Sequence, residues 1–137
     1  MKYLWDTDTC VYFLNGSQSI QERLSAVGAE SICVTTLTIA ELRYGCYKSS
    51  HVNQNLEKVR RLQELLYTLS DLDDEVATLF GKNKAVLRKQ GVTIGDIDLL
   101  IGSVAVVRGF ILVTNNVRHY QHIPDLNSEN WSTPKTA

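Results

Sequence analysis

The sequence predicts an α/β fold with a central, mostly parallel sheet of four to five strands between layers of helices. Short apolar runs, typical of buried strands, alternate along the 137 residues with one or two amphipathic helical segments. That alternation indicates parallel strands joined by right-handed helical crossovers. Apolar residues make up 44% of the chain, and we find no linker, repeat or low-complexity segment. We therefore expect a single domain over residues 1–137, with an irregular tail from about 132 to 137.

Apolar runs and cap residues define the elements of the first half. The run YLWDT predicts a short buried strand. Asp8 is expected to cap the helix over TCVYFLNG, and Ser17 the helix over QSIQERLSAVG. SICVT predicts the second strand, and the spacing of Thr38 and Glu41 then matches a capping box for the helix over LTIAELRYGCYKS. A longer amphipathic helix is expected from 51 to 67.

The second half continues the same alternation. TLSDL predicts a third, weaker strand, and Asp73 or Asp74 is expected to cap the helix over EVATLFGKNKAVLRKQ. Asp96 is expected to cap the strongly apolar helix over DIDLLIGSVAVVRG, which Gly109 ends. FILVT predicts a fully buried strand, and a short helix over NNVRHY follows it. An edge strand is expected near Leu126.

The composition argues against several classes of protein. Fourteen basic and fifteen acidic residues give a net charge of -1, so nucleic-acid binding would require basic residues gathered on one face. Three cysteines without a close pair argue against a disulfide framework and a zinc knuckle. His119 and His122 are expected to be surface residues rather than zinc ligands. No apolar run is long enough to cross a bilayer, and acids interrupt the first residues, so we expect a cytoplasmic protein without a membrane partner.

Acidic residues that are scattered along the chain are expected to meet at one edge of the sheet. Asp6 ends the first strand, Glu41 lies one helical turn beyond the second, and Asp98 opens the helix that leads into FILVT. Converging carboxylates repel one another unless a cation lies between them, and Mg²⁺ prefers oxygen ligands. Asp6, Glu41 and Asp98 are therefore the predicted ligands of a divalent cation. Asp96 and Asn116 are lesser candidates.

Two reactions fit these residues. The pair Asp6 and Asp8 resembles the D-x-D motif of haloacid dehalogenase-type phosphohydrolases, in which Asp6 would be the nucleophile and Asp8 the general acid. Against this, Cys10 stands where Thr or Val is usual, and Glu41 would have no role. Metal-assisted hydrolysis of a phosphodiester, by contrast, uses every separated acid.

Three segments together resemble the PIN-domain ribonucleases and, more narrowly, the VapC toxins of bacterial toxin–antitoxin pairs. They are LWDTDTCVYFL, TTLTIAELRYGCYKS and the block from GVTIGDIDLLIG to NSENW. The resemblance assigns metal-ligand roles to Asp6, Glu41 and Asp98. Asn116 stands where many PIN domains have a fourth acid. Thr114 fits a hydroxyl that the family places beside the metals. Asp8, which stands where the family commonly has a small polar residue, and Asn115 are also expected to support the metal ligands.

The resemblance implies an endoribonuclease that depends on Mg²⁺ or Mn²⁺ and cleaves RNA, with tRNA as the expected substrate. It further implies a homodimer and a VapB-type antitoxin whose tail enters the acidic groove and presents an Arg or Lys to the carboxylates. A higher-order complex with the antitoxin would contact promoter DNA only through that antitoxin. The RNA backbone requires cations, and the candidates are Arg43, Lys48, Lys82, Lys84, Arg88 and Lys89.

Overall fold

Five parallel strands form one sheet in the computed structural model, which describes residues 1–70 and 72–133. The strands are β1 (Tyr3–Trp5), β2 (Ile32–Thr35), β3 (Tyr67–Leu69), β4 (Ile111–Val113) and β5 (Ser128–Glu129). Their order in the sheet is β3-β2-β1-β4-β5, and each neighbouring pair is parallel. The predicted α/β class is confirmed, and every strand pair in the described part is parallel.

Seven α-helices of the described residues cover the two faces of the sheet. They are α1 (Thr7–Leu14), α2 (Gln18–Val27), α3 (Thr36–Tyr47), α4 (Val52–Leu65), α5 (Asp74–Lys89), α6 (Asp96–Arg108) and α7 (Val117–Tyr120). A short 3₁₀ turn, Ala29–Ser31, leads into β2. Side chains from α1 to α4 join one core cluster, and side chains from α5 to α7 join the other.

Alternation along β1 divides the apolar side chains between these two clusters. Tyr3 and Trp5 face the cluster that α1 to α4 cover, whereas Leu4 faces α5, α6 and α7. Trp131, which follows β5, packs edge-on against Tyr3 and Trp5 with ring centroids 5.0 and 6.0 Å away. This packing fixes β1, and therefore the residue that follows it, in the middle of the sheet.

The cap of α1 differs from the prediction. The helix begins at Thr7, and Asp6 is its N-cap, because the Asp6 carboxylate accepts a hydrogen bond from the Thr9 N–H at 2.9 Å. Asp8 lies in the first turn, so its predicted role as the cap is wrong. The strand ends at Trp5, two residues before the end of the predicted run YLWDT, and this moves the cap to Asp6.

Two further caps also differ. Thr35 caps α3 by accepting from the Thr38 N–H at 3.2 Å, so the predicted capping box of Thr38 and Glu41 is wrong. Gly95 precedes α6 without a side-chain cap, and Asp96 is instead the first helical residue. Glu41 and Asp96 therefore do not cap their helices, and their carboxylates are available for contacts with other elements.

Other boundaries agree closely with the sequence patterns. Ser17 caps α2 and Asp73 caps α5 as expected. The helix predicted to reach Tyr67 ends at Leu65, and β3 begins at Tyr67. The end of the predicted strand TLSDL includes Asp71, and the end of the predicted tail covers 134–137; these positions lie outside the described residues. Across the described part of the chain, none of the helices has the length and apolar character needed to cross a membrane.

Candidate active site

The direction in which strands are added to the sheet reverses between β1 and β4. From β1 the chain adds β2 and β3 on one side, and then β4 and β5 on the other. In open α/β sheets, ligands bind in the crevice at the carboxyl ends of the strands that flank such a reversal. Asp6 directly follows β1, and its N–H donates to the carbonyl oxygen of Val113, the last residue of β4, at 3.1 Å. The first acid of the sequence therefore lies at this crevice.

A pocket of about 170 Å³ opens there, and polar side chains form most of its wall. Its carboxylates come from separate parts of the chain: Asp6 after β1, Glu41 on α3 and Asp98 on α6. The full lining consists of Asp6, Thr7, Asp8, Glu41, Asp98, Asn116, His119 and Tyr120. The three acids that the sequence analysis singled out thus line one pocket.

Asp6 is the most buried acid of the pocket, with only 3% of its surface exposed. Burial raises the pKa of its carboxyl from 3.8 to about 6, because the charged form loses its hydration. Hydrogen bonds from the Thr114 side chain and from the Thr9 N–H act in the opposite direction, and the nearby charge of Asp8 adds a smaller increase to this pKa. The charged form of Asp6 is therefore unfavourable in the isolated protein, and a cation beside the carboxylate would stabilise it.

Glu41 is held by α1. The Thr7 hydroxyl donates a very short hydrogen bond to Glu41 Oε1 and lies 3.3 Å from the Thr38 hydroxyl oxygen. Thr7 immediately follows Asp6, so the same backbone turn that places the first acid also supplies a donor to the second. The local geometry couples Asp6 and Glu41, although they are far apart in the sequence.

Asp98 lies in the first turn of α6, where the helix dipole favours a negative charge. Its Oδ2 is 3.4 Å from His119 Nε2, close enough for an ion pair when the imidazole is protonated. Tyr120 lies next to this pair. Burial first, and then the charges of Asp98 and Asp6, raise the pKa of the Tyr120 hydroxyl far above its usual range, so it stays protonated.

The lining has the chemistry of a site for a hard divalent cation. Carboxylates of Asp6, Glu41 and Asp98 and the amide of Asn116 offer the oxygen donors that Mg²⁺ and Mn²⁺ prefer. Within residues 1–70 and 72–133, no group of three or more Asp, Glu, His or Cys side chains is placed to hold a metal ion by itself. Mg²⁺ keeps several of its waters, so the carboxylates of a pocket can reach it through a bound water as well as by direct contact.

Two buried polar atoms on the pocket wall support a hydrated occupant. His119 Nε2 and the Tyr120 hydroxyl oxygen are buried, and neither makes a hydrogen bond of good geometry with the described residues. Buried polar groups of this kind are normally satisfied by ordered water. The residues present therefore fit a cation that retains part of its water shell.

The remaining predicted site residues differ in their placement. Asp8 and Asn116 line the pocket, and Asp8 is exposed. Thr114 is fully buried beneath the pocket, where its hydroxyl oxygen accepts from the Asn116 N–H at 3.0 Å. Asn115 lies outside the lining and bonds to the Tyr12 hydroxyl at 3.2 Å. Asp96 also lies outside, although it is two residues from Asp98.

The two basic candidates on α3 lie farther along the helix than Glu41. Arg43 is exposed and donates to the Gln63 side chain of α4 at 3.2 Å. Lys48 places its Nζ 5.1 Å from the centre of the Tyr44 ring, a cation–π contact. Both charges remain at the surface, and neither lines the pocket.

Of the four basic candidates on α5, one forms an ion pair with an acid and three are exposed. Lys84 forms an ion pair of 2.8 Å with Asp96, which joins α5 to the first turn of α6. Lys82, Arg88 and Lys89 are exposed. Lys84 therefore has a partner on the helix that carries Asp98, and its neighbours lie on a solvated face.

Sequence analysis missed three pocket residues. His119 was expected at the surface, but it is partly buried in the lining; His122 is exposed as expected. Thr7 and Tyr120 also line the pocket. The signal was present for His119 and Tyr120, because they belong to the segment that directly follows the carboxyl end of a strand. The role of Thr7 depends on a contact with α3 that no local pattern encodes.

The three cysteines are free and buried. Burial raises the pKa of Cys10 well above its usual range, with a further contribution from the Asp6 charge, and raises that of Cys33 to about 11. Both shifts disfavour the thiolate form that a nucleophilic cysteine requires.

Comparison with known proteins gives a consistent family assignment. The model of the PIN domain matches residues 3–124. The chain is 33% identical over 132 residues to a tRNA(fMet)-specific endonuclease VapC of Salmonella typhimurium and 36% identical over 132 residues to ribonuclease VapC2 of Haemophilus influenzae. Each alignment covers 96% of this chain and 98% of the relative. These relatives are ribonucleases, so the phosphohydrolase alternative that used Asp6 as a nucleophile finds no support.

Solved structures agree with the sequence relatives. The crystal structure of DNA-bound VapBC from Salmonella typhimurium aligns with a TM-score of 0.89 and 32% identity. That alignment covers 96% of this chain and 98% of the matched chain. The similarity therefore extends over the whole sheet and both helical layers, including the elements that carry the pocket.

Proposed function

Because this chain belongs to the PIN-domain family, we propose that it is the toxin of a VapBC toxin–antitoxin pair, an endoribonuclease that cleaves phosphodiester bonds of RNA. We propose tRNA as the substrate class and Mg²⁺ or Mn²⁺ as the cofactor. One observation carries the proposal: Asp6, Glu41 and Asp98 line one pocket at the crevice between β1 and β4. VapC ribonucleases align with nearly the whole of this chain, and this similarity supports RNA as the substrate.

In this proposal Asp6, Glu41 and Asp98 hold the cation, and Asn116 adds a neutral oxygen. A divalent cation, when bound, lowers the pKa of a water and offsets the charge that develops on the phosphodiester oxygens. The chain itself keeps the carboxylates in place. Thr9 and Thr114 hold Asp6, Thr7 holds Glu41, and His119 lies beside Asp98. Asp96 is left out of the ligand set because it pairs with Lys84 outside the pocket.

Removal of the metal should stop RNA cleavage. We expect the purified protein to cleave bacterial tRNA at discrete positions in Mg²⁺ or Mn²⁺, and to lose at least about 100-fold of this rate in EDTA, since metal activation of water contributes several kcal/mol. Mapping of RNA ends measures both effects, and an equal preparation of Asp6→Asn controls for contaminating ribonuclease. Cleavage that persists in EDTA would contradict the metal, and intact tRNA under all conditions would contradict the nuclease.

The antitoxin is proposed to occupy a groove that is continuous with the acidic pocket. This groove runs between α1, α3 and α4 and shares Thr7 and Glu41 with the pocket wall. Its apolar walls come from Val11, Leu42 and Val59, among others. An apolar peptide segment would fit these walls, and an Arg or Lys at its end would reach the carboxylates in the position of the cation. An antitoxin bound in this way would inhibit RNA cleavage, because the pocket carboxylates cannot bind its Arg or Lys and the metal ion at the same time.

A side chain added in the groove should weaken antitoxin binding. Gly45 lines the groove within α3, and a Cβ there would contact nothing within 4 Å, so Gly45→Gln should fold and gain about 0.5–1 kcal/mol of helix stability. We expect the affinity for the cognate antitoxin to fall at least 10-fold by calorimetry. Gly81→Gln, equally open on α5, is the matched control and should leave this affinity unchanged. Equal antitoxin affinities of the two variants would contradict this groove as the binding site.

We also propose a homodimer and a cytoplasmic location, as the family assignment implies. Contact with promoter DNA is assigned to the antitoxin rather than to this chain. Light scattering of the purified protein, alone and with the antitoxin, measures the oligomeric state. A gel shift of promoter DNA by each component tests which of the two proteins contacts DNA.

A further inference from the structure

Thr7 links α1 to α3 at the wall of the acidic pocket. It is the first residue of α1, and its hydroxyl reaches across to α3, where Glu41 Oε1 and the Thr38 hydroxyl oxygen both lie within hydrogen-bonding distance. Thr38 is completely buried, whereas Glu41 lines the pocket. A single hydroxyl thus joins a buried polar group to a carboxylate of the pocket.

The order of the protons in this group follows from simple counting. Thr7 has one hydroxyl proton, and an ionised carboxylate can only accept. The proton of Thr7 therefore points to Glu41, the nearer and charged acceptor, and the Thr38 hydroxyl oxygen lies 3.3 Å away as a second acceptor for the same proton. Thr7 is thus the donor of this group, and Glu41 Oε1 is its favoured acceptor.

The hydrogen bond from Thr7 holds only one oxygen of Glu41. Oε1 accepts from Thr7, while Oε2 receives no hydrogen bond from any residue that the structure describes. A carboxylate fixed through one oxygen keeps the other available, and its orientation is set before a ligand arrives. Without the Thr7 proton, the Glu41 side chain would be free to rotate away from the neighbouring negative charges of Asp6 and Asp8.

We propose that Thr7 is a positioning residue, which orients Glu41 for cation binding through its hydroxyl proton. The proposal rests on the proposed function, in that Glu41 is taken as a metal ligand. Thr7 itself touches neither the cation nor the RNA in this account. Partners that orient a metal ligand typically change metal affinity by 10–100-fold when they are removed.

The test compares Thr7→Val, which removes the hydroxyl at nearly constant shape, with Thr7→Ser, which keeps it. Titration of Mn²⁺ into the metal-free proteins by calorimetry should show a Kd about 10-fold weaker for Thr7→Val and within about threefold of wild type for Thr7→Ser. Thr36→Val is the matched control. Thr36 is the first residue of α3, and its hydroxyl donates to the Leu69 carbonyl at 3.5 Å, outside the acidic pocket.

RNA cleavage supplies the second readout. For Thr7→Val we expect the Mn²⁺ concentration at half-maximal rate to rise about 10-fold, while saturating Mn²⁺ restores most of the rate. Circular dichroism checks the fold of each variant. If Thr7→Val does not fold, Thr7→Ala, which lacks the γ-methyl groups of Val, is titrated in its place with the same expected result.

The possible outcomes separate the two proposals. A wild-type protein that neither binds Mn²⁺ nor cleaves RNA would refute the proposed function. Wild-type binding together with equal Mn²⁺ affinities for Thr7→Val and wild type would overturn the role of Thr7 alone. Equal losses in Thr7→Val, Thr7→Ser and Thr36→Val would also overturn it, because they would indicate a general effect on helix ends.

Discussion

Asp6→Asn should reduce RNA cleavage about 10³-fold or more and abolish growth arrest when the protein is expressed in bacteria. The change removes one negative charge from the most buried acid of the pocket, while Asn still caps α1 by accepting from the Thr9 N–H. The fold is therefore retained and the cation loses a charged ligand. Metal activation contributes several kcal/mol to such reactions, and each 1.4 kcal/mol corresponds to tenfold in rate.

Asp8→Asn is the matched control for this prediction. It removes the same charge two residues away, but Asp8 is exposed and is neither the helix cap nor a proposed ligand. We expect its cleavage rate to stay within about tenfold of wild type, because only a nearby charge of the pocket is lost. End mapping of tRNA and colony counts after induction measure the two variants side by side. Full toxicity of Asp6→Asn would refute the ligand role of Asp6, and equal losses in both variants would show that the pocket needs charge rather than a specific ligand.

The sheet could be predicted because its information is local. The central strands β1, β2 and β4 are short apolar runs. Asp6 follows a strand, Asp98 opens a helix, and Glu41 lies on the helix that follows β2, so parallel topology brings these three acids to one edge. The same local patterns could not decide between Asp6 and Asp8 as the cap of α1. Both are good caps, and the choice depends on β1 ending at Trp5, where pairing with Val113 of β4 stops.

The contacts that orient the acids could not be predicted, since they join elements that are distant in sequence. Thr7 meets Glu41 across α1 and α3, and His119 meets Asp98 across α7 and α6. A capping box for Glu41 was the simplest local explanation, and it failed because Thr35 already caps α3 and Glu41 lies too far into the helix. The general position of a site is thus encoded by topology, whereas the donors around each ligand are set by helix packing.

The metal-free protein should become more stable when Asp6 is replaced by Asn, although the same change removes activity. Burial raises the pKa of Asp6 from 3.8 to about 6, so the folded state binds its proton more tightly than the unfolded state does. Below about pH 4 the carboxyl is protonated in both states and costs the fold nothing. As pH rises from about 4 to 6 this stability is lost, and above pH 6 the loss amounts to about 3 kcal/mol.

Thermal unfolding in EDTA measures this effect. At pH 7.5 we expect Asp6→Asn to have a Tm on the order of 10 °C above wild type, and at pH 4 the two values should converge. Mg²⁺ should raise the Tm of wild type and have little effect on the variant, because a ligand stabilises only the state that binds it. Asp8→Asn removes no buried charge and should keep most of the wild-type pH dependence. If Asp6→Asn is less stable than wild type at pH 7.5 in EDTA, the buried charge at the centre of the pocket is already compensated by the protein, and the main electrostatic reason for a cation there disappears.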